Sequence, residues 1–244
     1  MNYDIVIDRG NTRAKIAVFE NGNLQNVFFT DADCNNLPAD LQNRSFRYGI
    51  LSSTAKESVR FLTGIRKMCT ELICFDETIP IPLKLDHKTP ESLGADRKAA
   101  CVGAAVLFPE KPLLVVDAGT ALTFDFLSAD GKMGLGNISP GLQMRFDALH
   151  NYTGNLPLLT SGNMNKMLGQ STEESIRYGV QFGFLSEIEA YIKKLKNQDK
   201  RLITILTGGD ADFLAENLKN SIFVEPNLVL IGLYRILTNY VEKN

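Results

Sequence analysis

The residues best suited to chemistry form a short pattern that occurs twice in the chain. Asp8 and Gly10 follow the apolar pair Val6-Ile7, and Asp117 and Gly119 stand 109 positions later behind a second apolar run. Glycine allows close backbone approach, and exposed N–H groups, neighbouring hydroxyls and a carboxylate can together hold a phosphate and its cation. The duplication predicts two related halves that handle phosphate, and an ordinary hairpin turn is the alternative for either copy.

Each copy continues into a second apolar stretch that ends in a turn. The turns at 20–23 and 129–132 keep the same 109-residue offset and contain Asn-Gly and Asp-Gly, which are strong hairpin signals. We therefore expect each half to open with a β-hairpin, and we expect strand, loop and returning strand to repeat without a gap.

The rest of the first half alternates strand and helix. Residues 46–53 and 71–75 read as strands, and apolar positions at helical spacing over 57–69 predict a helix between them. A helix of small residues ends at Phe108, where a segment with two prolines stops it. This pattern predicts an α/β protein with domains at 1–110 and 111–244.

The second half contains two further loops and one long helix. Its glycines predict a loop with unusual backbone angles at 136–141, followed by a short helix to His150. Ser171 and Glu174 have capping-box spacing before an amphipathic helix that extends to Leu195. A strand at 202–206 then leads into a Thr-Gly-Gly loop. Loops at strand ends are places where ligands bind.

The composition of the chain indicates which binding partners, cellular location and cysteine state to expect. The 26 Lys and Arg residues nearly balance the 28 Asp and Glu residues, so no basic field is available and nucleic acid is not expected as a partner. Charged residues near the start and the short apolar run at 99–108 argue against a leader or a membrane span, which predicts a cytoplasmic protein. The four cysteines lack Cys-x-x-Cys spacing and are expected to be reduced core residues: Cys34, Cys69, Cys74 and Cys101.

Five motifs in order resemble one family over essentially the whole chain. The paired Asp-x-Gly hairpins and the late Thr-Gly-Gly loop are similar to the sugar kinase and actin-like ATPase superfamily, and the full set looks like type III pantothenate kinase. The motifs are 8–15, Gly94-Ala95-Asp96-Arg97, 117–121, 136–141 and Thr207-Gly208-Gly209. The resemblance implies two duplicated ribonuclease-H-like domains with a nucleotide cleft between them, the actin-like ATPase fold.

The resemblance also implies an activity and its cofactors. It implies ATP-dependent phosphorylation of pantothenate to 4′-phosphopantothenate, the first step of coenzyme A biosynthesis, with Mg²⁺ and with K⁺ or NH₄⁺ as a monovalent cation. It further implies a homodimer with the site partly at the subunit interface. No Gly-x-x-x-x-Gly-Lys-Ser/Thr motif occurs, so the P-loop solution to nucleotide binding is absent.

The first hairpin is implied to wrap the phosphates of ATP. Asp8 would hold Mg²⁺ through water, and Lys15 would act as a mobile positive charge. Alternation along a hairpin exposes half its side chains, so Lys15 could instead be an ordinary exposed strand residue. The implied ATP-binding residues are Asp8, Arg9, Gly10, Asn11, Thr12, Arg13, Ala14 and Lys15, together with Thr120.

The Gly-x-Asp-Arg motif is implied to hold pantothenate at Gly94, Ala95, Asp96 and Arg97. In the family its aspartate accepts the proton of the pantothenate hydroxyl, which makes Asp96 the catalytic residue. Arg97 offers a fork that suits a carboxylate. The alternative is a structural role, in which Asp96 lies at a helix N-terminus and Arg97 forms a surface ion pair with Asp96.

Three further residues are implied by the resemblance. Asp117 carries over as a ligand of the monovalent cation. Thr172 carries over as a pantothenate contact, although Ser171 and Thr172 also suit helix capping. His87 stands where the family usually has a substrate-contacting tyrosine, and a histidine there would make pantothenate affinity depend on pH.

Two other functions remain open at this level. The phosphate-binding loops do not indicate which molecule accepts the phosphoryl group, so a kinase of another hydroxy acid or sugar is one alternative. A nucleotide-binding transcriptional accessory protein is the alternative outside enzymes. The presence of Asp8, Lys15, Asp96 and Asp117 favours an active enzyme over a regulator.

Overall fold

The computed structural model of the protein describes residues 3–10, 13–31, 37–42, 44–53, 59–164, 166–220 and 222–244. The chain packs as two units. The first combines Met1–Leu107 with Asn227–Asn244, and the second is Phe108–Pro226. Within the part of the chain that the structure describes, no helix has the length and apolar character needed to cross a bilayer.

The first unit is a sheet covered by helices. Its sheet has the strand order β3-β2-β1-β4-β5, in which β1 pairs antiparallel with β2 and parallel with β4. The elements are β1 (Tyr3–Arg9), β2 (Arg13–Glu20), β3 (Asn23–Asp31), α1 (Ala39–Gln42), β4 (Phe46–Ser53), α2 (Val59–Met68), β5 (Cys69–Cys74), β6 (Lys84–Leu85), a 3₁₀ turn (Pro90–Ser92), α3 (Ala95–Leu107) and, from the end of the chain, α7 (Leu228–Val241).

The two faces of β1 build two different cores. Ile5 and Ile7 pack with Phe61 and Ile65 of α2 on one face. Val6 packs on the opposite face with residues of α3 and α7. Because side chains alternate along a strand, Asp8 shares the face of Val6 and lies on the side of the sheet that α3 covers.

Helix α7 belongs to the first unit because it packs against α3 and the first sheet. A Cβ at Gly232 would overlap the carbonyl oxygen of Ala99, and only glycine permits so close a helix approach. Tyr234 stacks on Phe19 of β2 with ring centroids 3.9 Å apart. Its hydroxyl donates a hydrogen bond to buried Asp4.

Because of these contacts, the two packing units do not coincide with the domain ranges 1–110 and 111–244 that the sequence suggested. The second unit does start within the proline-containing segment, at Phe108, but the last 18 residues pack with the first unit. A sequence repeat marks chain order, whereas packing units follow burial, and the apolar face of α7 is buried in the first core.

The second unit repeats the pattern of sheet and helices. Its strands lie in the order β11-β10-β7-β8-β9. Its elements are β7 (Leu113–Ala118), β8 (Ala121–Leu127), β9 (Lys132–Pro140), α4 (Leu142–Asn151), α5 (Thr172–Gln198), β10 (Ile203–Thr207), α6 (Ala211–Asn217) and β11 (Phe223–Val224). The predicted apolar face of α5 packs against β7, β8 and α4 in one core.

The two predicted hairpins are present, but their loops are not identical. Arg9 pairs with Ala14 in the first hairpin, whereas Ala118 pairs with Leu122 in the second. The first loop is therefore one residue longer, and the prediction of a repeat without a gap is wrong. As a result Asp8 faces Lys15 across its hairpin.

The prediction of a loop at 136–141 is also wrong. Residues up to Pro140 belong to β9, where Gly136 pairs with Asp125. Gly141 precedes α4 with an ordinary φ of −64°. It must be glycine for a different reason, since a Cβ there would overlap the carbonyl oxygens of Gly119 and Thr120.

The cysteines of the described residues are thiols: Cys69, Cys74 and Cys101. Cys101 is buried in α3, and burial followed by the charge of Asp4 raises the pKa of Cys69 to about 12. A thiol with so high a pKa is unreactive at neutral pH. Cys34 lies outside the described residues.

Candidate functional site

The first hairpin places Asp8 at the carboxyl end of β1. Asp8 stands in register with Lys15 on β2 and with Ser52 on β4. The N–H of Gly10 donates to the carbonyl of Arg13 at 3.1 Å and closes the hairpin loop. Side chains of Arg9 and Ala14 are buried, so these two residues support the loop from within. Asn11 and Thr12, predicted to contact phosphate, lie outside the described residues.

Asp96 lies in the first turn of α3. Its Oδ1 accepts the backbone N–H of Arg97 at 2.8 Å, and Gly94 provides the carbonyl that accepts the N–H of Lys98. A Cβ at Gly94 would lie 2.5 Å from the Asp96 carboxylate, so glycine leaves room for that side chain. Ala95 begins the helix directly before Asp96.

The structure brings the carboxylates of Asp8 and Asp96 close enough to interact. Burial, and after it the charge of Asp96, raises the pKa of Asp8 from 3.8 to about 6, and the opposing charge of Lys15 limits the rise. Two carboxylates that interact by charge offer hard oxygen donors, which suit Mg²⁺. Among the described residues no group of three or more His, Cys, Asp or Glu side chains comes together as a metal cluster.

Lys15 is half-buried and interacts with Asp8, and both observations favour a site residue over an ordinary exposed strand position. Phe29 pairs with Lys15 across β2 and β3. The Lys15 ammonium lies 5.9 Å and the Arg13 guanidinium 5.5 Å from the centre of the Phe29 ring, although that side chain is 58% exposed. The exposed Phe29 ring thus makes cation–π contacts with two positively charged side chains beside the hairpin loop.

In the second unit the ends of β7 and β10 bring together Asp117, Thr207 and Gly208. Asp117 and Thr207 are in register on parallel strands. Gly208 has φ +95°, and a Cβ there would lie 2.5 Å from the Asp117 carboxylate. Thr120 is exposed in the loop that Gly141 closely approaches. Position 208 therefore requires glycine for two reasons, its backbone angle and its neighbour.

Thr172 is the first residue of α5 and lines a groove of about 1310 Å³. The helix cap is Ser171, whose Oγ accepts the N–H of Glu174 at 3.2 Å, so capping does not require Thr172. The groove runs between α4, the segment after it and the first half of α5, and its lining includes Arg145 and Tyr152.

A buried glutamine fixes one side of this region. Gln181 of α5 accepts the N–H of Gly162 at 2.8 Å and donates to its carbonyl at 2.9 Å. The side chain is fully buried, so it ties the segment between α4 and α5 to the helix. No sequence signal predicted this contact.

His87 lies in the segment before α3, and its Nδ1 accepts the N–H of Thr89 at 3.2 Å. An accepting Nδ1 carries no proton, so Nε2 holds it in the neutral ring. His150 lies in the last turn of α4, one residue before the helix ends, and its Nδ1 bonds to the carbonyl of Leu156.

The structure adds Ser52, which sequence reasoning did not assign to the site. It stands next to Asp8 across parallel strands and is almost completely buried. The available signal was a hydroxyl pair, Ser52 and Ser53, at the end of a buried strand. The first unit therefore gathers Asp8, Lys15, Asp96 and Ser52, and the second gathers Asp117 and the 207–208 loop.

Comparison with known proteins shows the family of this chain. The sequence profile of the type III pantothenate kinase family matches residues 4–194. A type III pantothenate kinase from Porphyromonas gingivalis is 39% identical over 241 residues, which cover 97% of this chain and 98% of the relative.

Solved structures show the same fold. A protein from Campylobacter jejuni described as a Baf-family transcriptional activator matches with TM-score 0.64 and 21% identity, covering 98% of this chain and 99% of the other. A Listeria monocytogenes protein described as an N-acetylmannosamine kinase matches with TM-score 0.53 and 12% identity, covering 99% and 100%. The fold is the α/β fold of sugar kinases and actin-like ATPases. The profile and the relative together show that this chain belongs to the type III pantothenate kinase family.

Proposed function

We propose that this protein transfers the γ-phosphoryl group of ATP to pantothenate, forming 4′-phosphopantothenate at the first step of coenzyme A biosynthesis. The observation that carries the proposal is that Asp8, in register with Lys15, interacts by charge with both Asp96 and Lys15. Phosphoryl transfer depends on positioning and charge neutralisation, and these residues supply both. The name of the Porphyromonas gingivalis relative supports pantothenate as the acceptor.

Asp96 acts on the acceptor in this proposal. Its carboxylate orients the pantothenate alcohol and accepts the proton as the oxygen attacks phosphorus, an effect worth about 10²–10⁴ in rate. Oδ1 already accepts the Arg97 N–H, which fixes the carboxylate in place. Arg97 pairs with the pantothenate carboxylate, and Gly94 and Ala95 shape the pocket around it.

The first hairpin acts on the nucleotide. Mg²⁺ neutralises the charge of the ATP phosphates when bound, and Asp8 holds it through water. Lys15 and Arg13 face the phosphates with their positive charges. Asn11 and Thr12 keep their predicted role as phosphate donors.

The second unit supplies the remaining contacts. Thr120 is exposed at the β7–β8 loop and contacts ATP in the proposal. Asp117, beside Thr207 and Gly208, holds the monovalent cation, K⁺ or NH₄⁺. His87 contacts pantothenate through Nε2, because its Nδ1 accepts from Thr89.

We also propose a cytoplasmic homodimer that does not bind nucleic acid. Large apolar side chains of the second unit are exposed on β9, on α5 and in the segment between α4 and α5. They include Leu135, Ile138, Met167, Leu168 and Phe182. A second copy of the chain would cover some of these exposed side chains.

The test is ADP release by the purified protein with ATP, Mg²⁺ and K⁺, with and without pantothenate. Release that depends on pantothenate supports the proposal. The variant Asp96→Asn should lose at least about 10²-fold in kcat while nucleotide binding persists, since a general base contributes that much. Glu91→Gln, an exposed carboxylate five residues upstream, serves as the control and should retain activity.

Two results would contradict the proposal. Release that ignores pantothenate but responds to another hydroxy acid would change the acceptor. Absence of release under all conditions, with nucleotide still bound, would indicate a nucleotide-binding regulator.

A further inference from the structure

Ser52 has a buried hydroxyl with no hydrogen-bond partner among the described residues. The side chain is 1% exposed, so bulk water does not satisfy it either. A buried hydroxyl without a partner costs the folded state its desolvation free energy, and such groups call for a specific explanation. One explanation is a ligand that completes the bond.

The position of Ser52 limits which ligands its hydroxyl can reach. It pairs with Asp8 on the neighbouring parallel strand, so both side chains point to the same face of the sheet. Neighbouring strands lie about 4.8 Å apart, which places the hydroxyl beside the Asp8 carboxylate. Helix α3, with Asp96 in its first turn, covers this face and contacts β4.

We propose that the Ser52 hydroxyl binds a hydrogen-bearing oxygen in the loaded site, either a water molecule that hydrates Mg²⁺ beside Asp8 or the acceptor alcohol beside Asp96. Both sources share one chemistry, since a hydroxyl can donate one hydrogen bond and accept two. The inference rests on the proposed roles of Asp8 and Asp96. It makes Ser52 a ligand contact and not a structural hydroxyl.

The variant Ser52→Ala separates these roles by two readouts that do not need turnover. Removal of an unsatisfied hydroxyl should leave the thermal midpoint of the ligand-free protein unchanged or raise it. Titration calorimetry should show affinity weakened by roughly 3- to 10-fold, the size of one neutral hydrogen bond. Weaker binding of Mg²⁺·ADP identifies the water, and weaker binding of pantothenate alone identifies the alcohol.

Thr204→Val provides a matched control. Thr204 is the other buried hydroxyl without a partner among the described residues, and it pairs with Leu114 well before the strand end that holds Asp117. Its removal should change neither affinity. This control separates the position of Ser52 from the general effect of deleting a buried hydroxyl.

The outcomes also separate this inference from the proposed site. If Asp8→Asn weakens Mg²⁺·ADP binding but Ser52→Ala changes neither affinity, the Ser52 role is wrong and the site stands. A lower thermal midpoint for Ser52→Ala with both affinities intact would likewise show a structural hydroxyl. If Asp8→Asn also leaves Mg²⁺·ADP binding unchanged, the proposed site and the inference both fail.

Discussion

Replacing Asp8 with asparagine should stabilise the ligand-free protein at high pH. The folded protein raises the pKa of Asp8 to about 6, mainly through burial and next through the charge of Asp96. In the unfolded chain the group titrates near its ordinary value of about 3.9. Ionised Asp8 therefore costs folding free energy, and the uncharged amide of the Asp8→Asn variant removes that cost.

The magnitude and its sign follow from linkage. The folded state holds the proton more tightly than the unfolded chain, so the cost is complete above pH 6 and disappears as pH falls towards 4. A difference of about two pKa units corresponds to about 2–3 kcal/mol. For a chain of this size that stabilisation is a rise of roughly 5–10 °C in the thermal midpoint at pH 8.

The assay is thermal unfolding at pH 8, 6 and 4.5 without nucleotide or divalent metal. The gain from Asp8→Asn should shrink at each step and should also be smaller in an Asp96→Asn background, because Asp96 contributes to the raised pKa. Asp86→Asn, an exposed carboxylate of the same unit, serves as the control. A gain that is independent of pH would refute the reasoning.

Four further substitutions test other parts of the structure. Gly232→Ala should destabilise the protein by about 1–3 kcal/mol, because the new Cβ would overlap the α3 backbone. Gly64→Ala should stabilise α2 by about 0.5–1 kcal/mol, because the new Cβ would meet open space. Chemical denaturation measures both changes in the free energy of unfolding. Gln181→Leu leaves the Gly162 backbone unpaired and should cost about 1–3 kcal/mol, with faster proteolysis of the segment before α5 as the second measurement. Phe29→Leu should raise the KM for ATP about 2- to 5-fold with little change in kcat, as expected for the loss of an exposed cation–π contact, and steady-state kinetics would decide it.

Much of the fold was predictable because its signals are local. The Asn-Gly turn at 21–22 has the positive φ angles that a tight hairpin needs. Ser171 caps α5, and the apolar spacing that follows it packs into the second core. Each of these features depends on residues within one or two turns of each other, so the sequence displays them directly.

Other features were mispredicted or missed because distant residues decide them. The glycines at 136–141 suggested a loop, but cross-strand pairing with β8 makes most of that segment a strand. The last helix follows the second half in sequence, yet Gly232 and Tyr234 fit it against the first unit. Pairing and close helix approach depend on the partner's shape, which no local pattern contains.

The candidate site likewise combines features that a local sequence pattern shows with features that depend on distant residues. The two Asp-x-Gly hairpins and the Gly-x-Asp-Arg motif could be recognised before folding was considered, because each is contiguous along the chain. Folding is what lets the charge of Asp96 raise the pKa of Asp8, and it is strand pairing that puts Ser52 beside Asp8. Electrostatic coupling and burial depend on distance through space, and the register of parallel strands with the helix above them sets that distance.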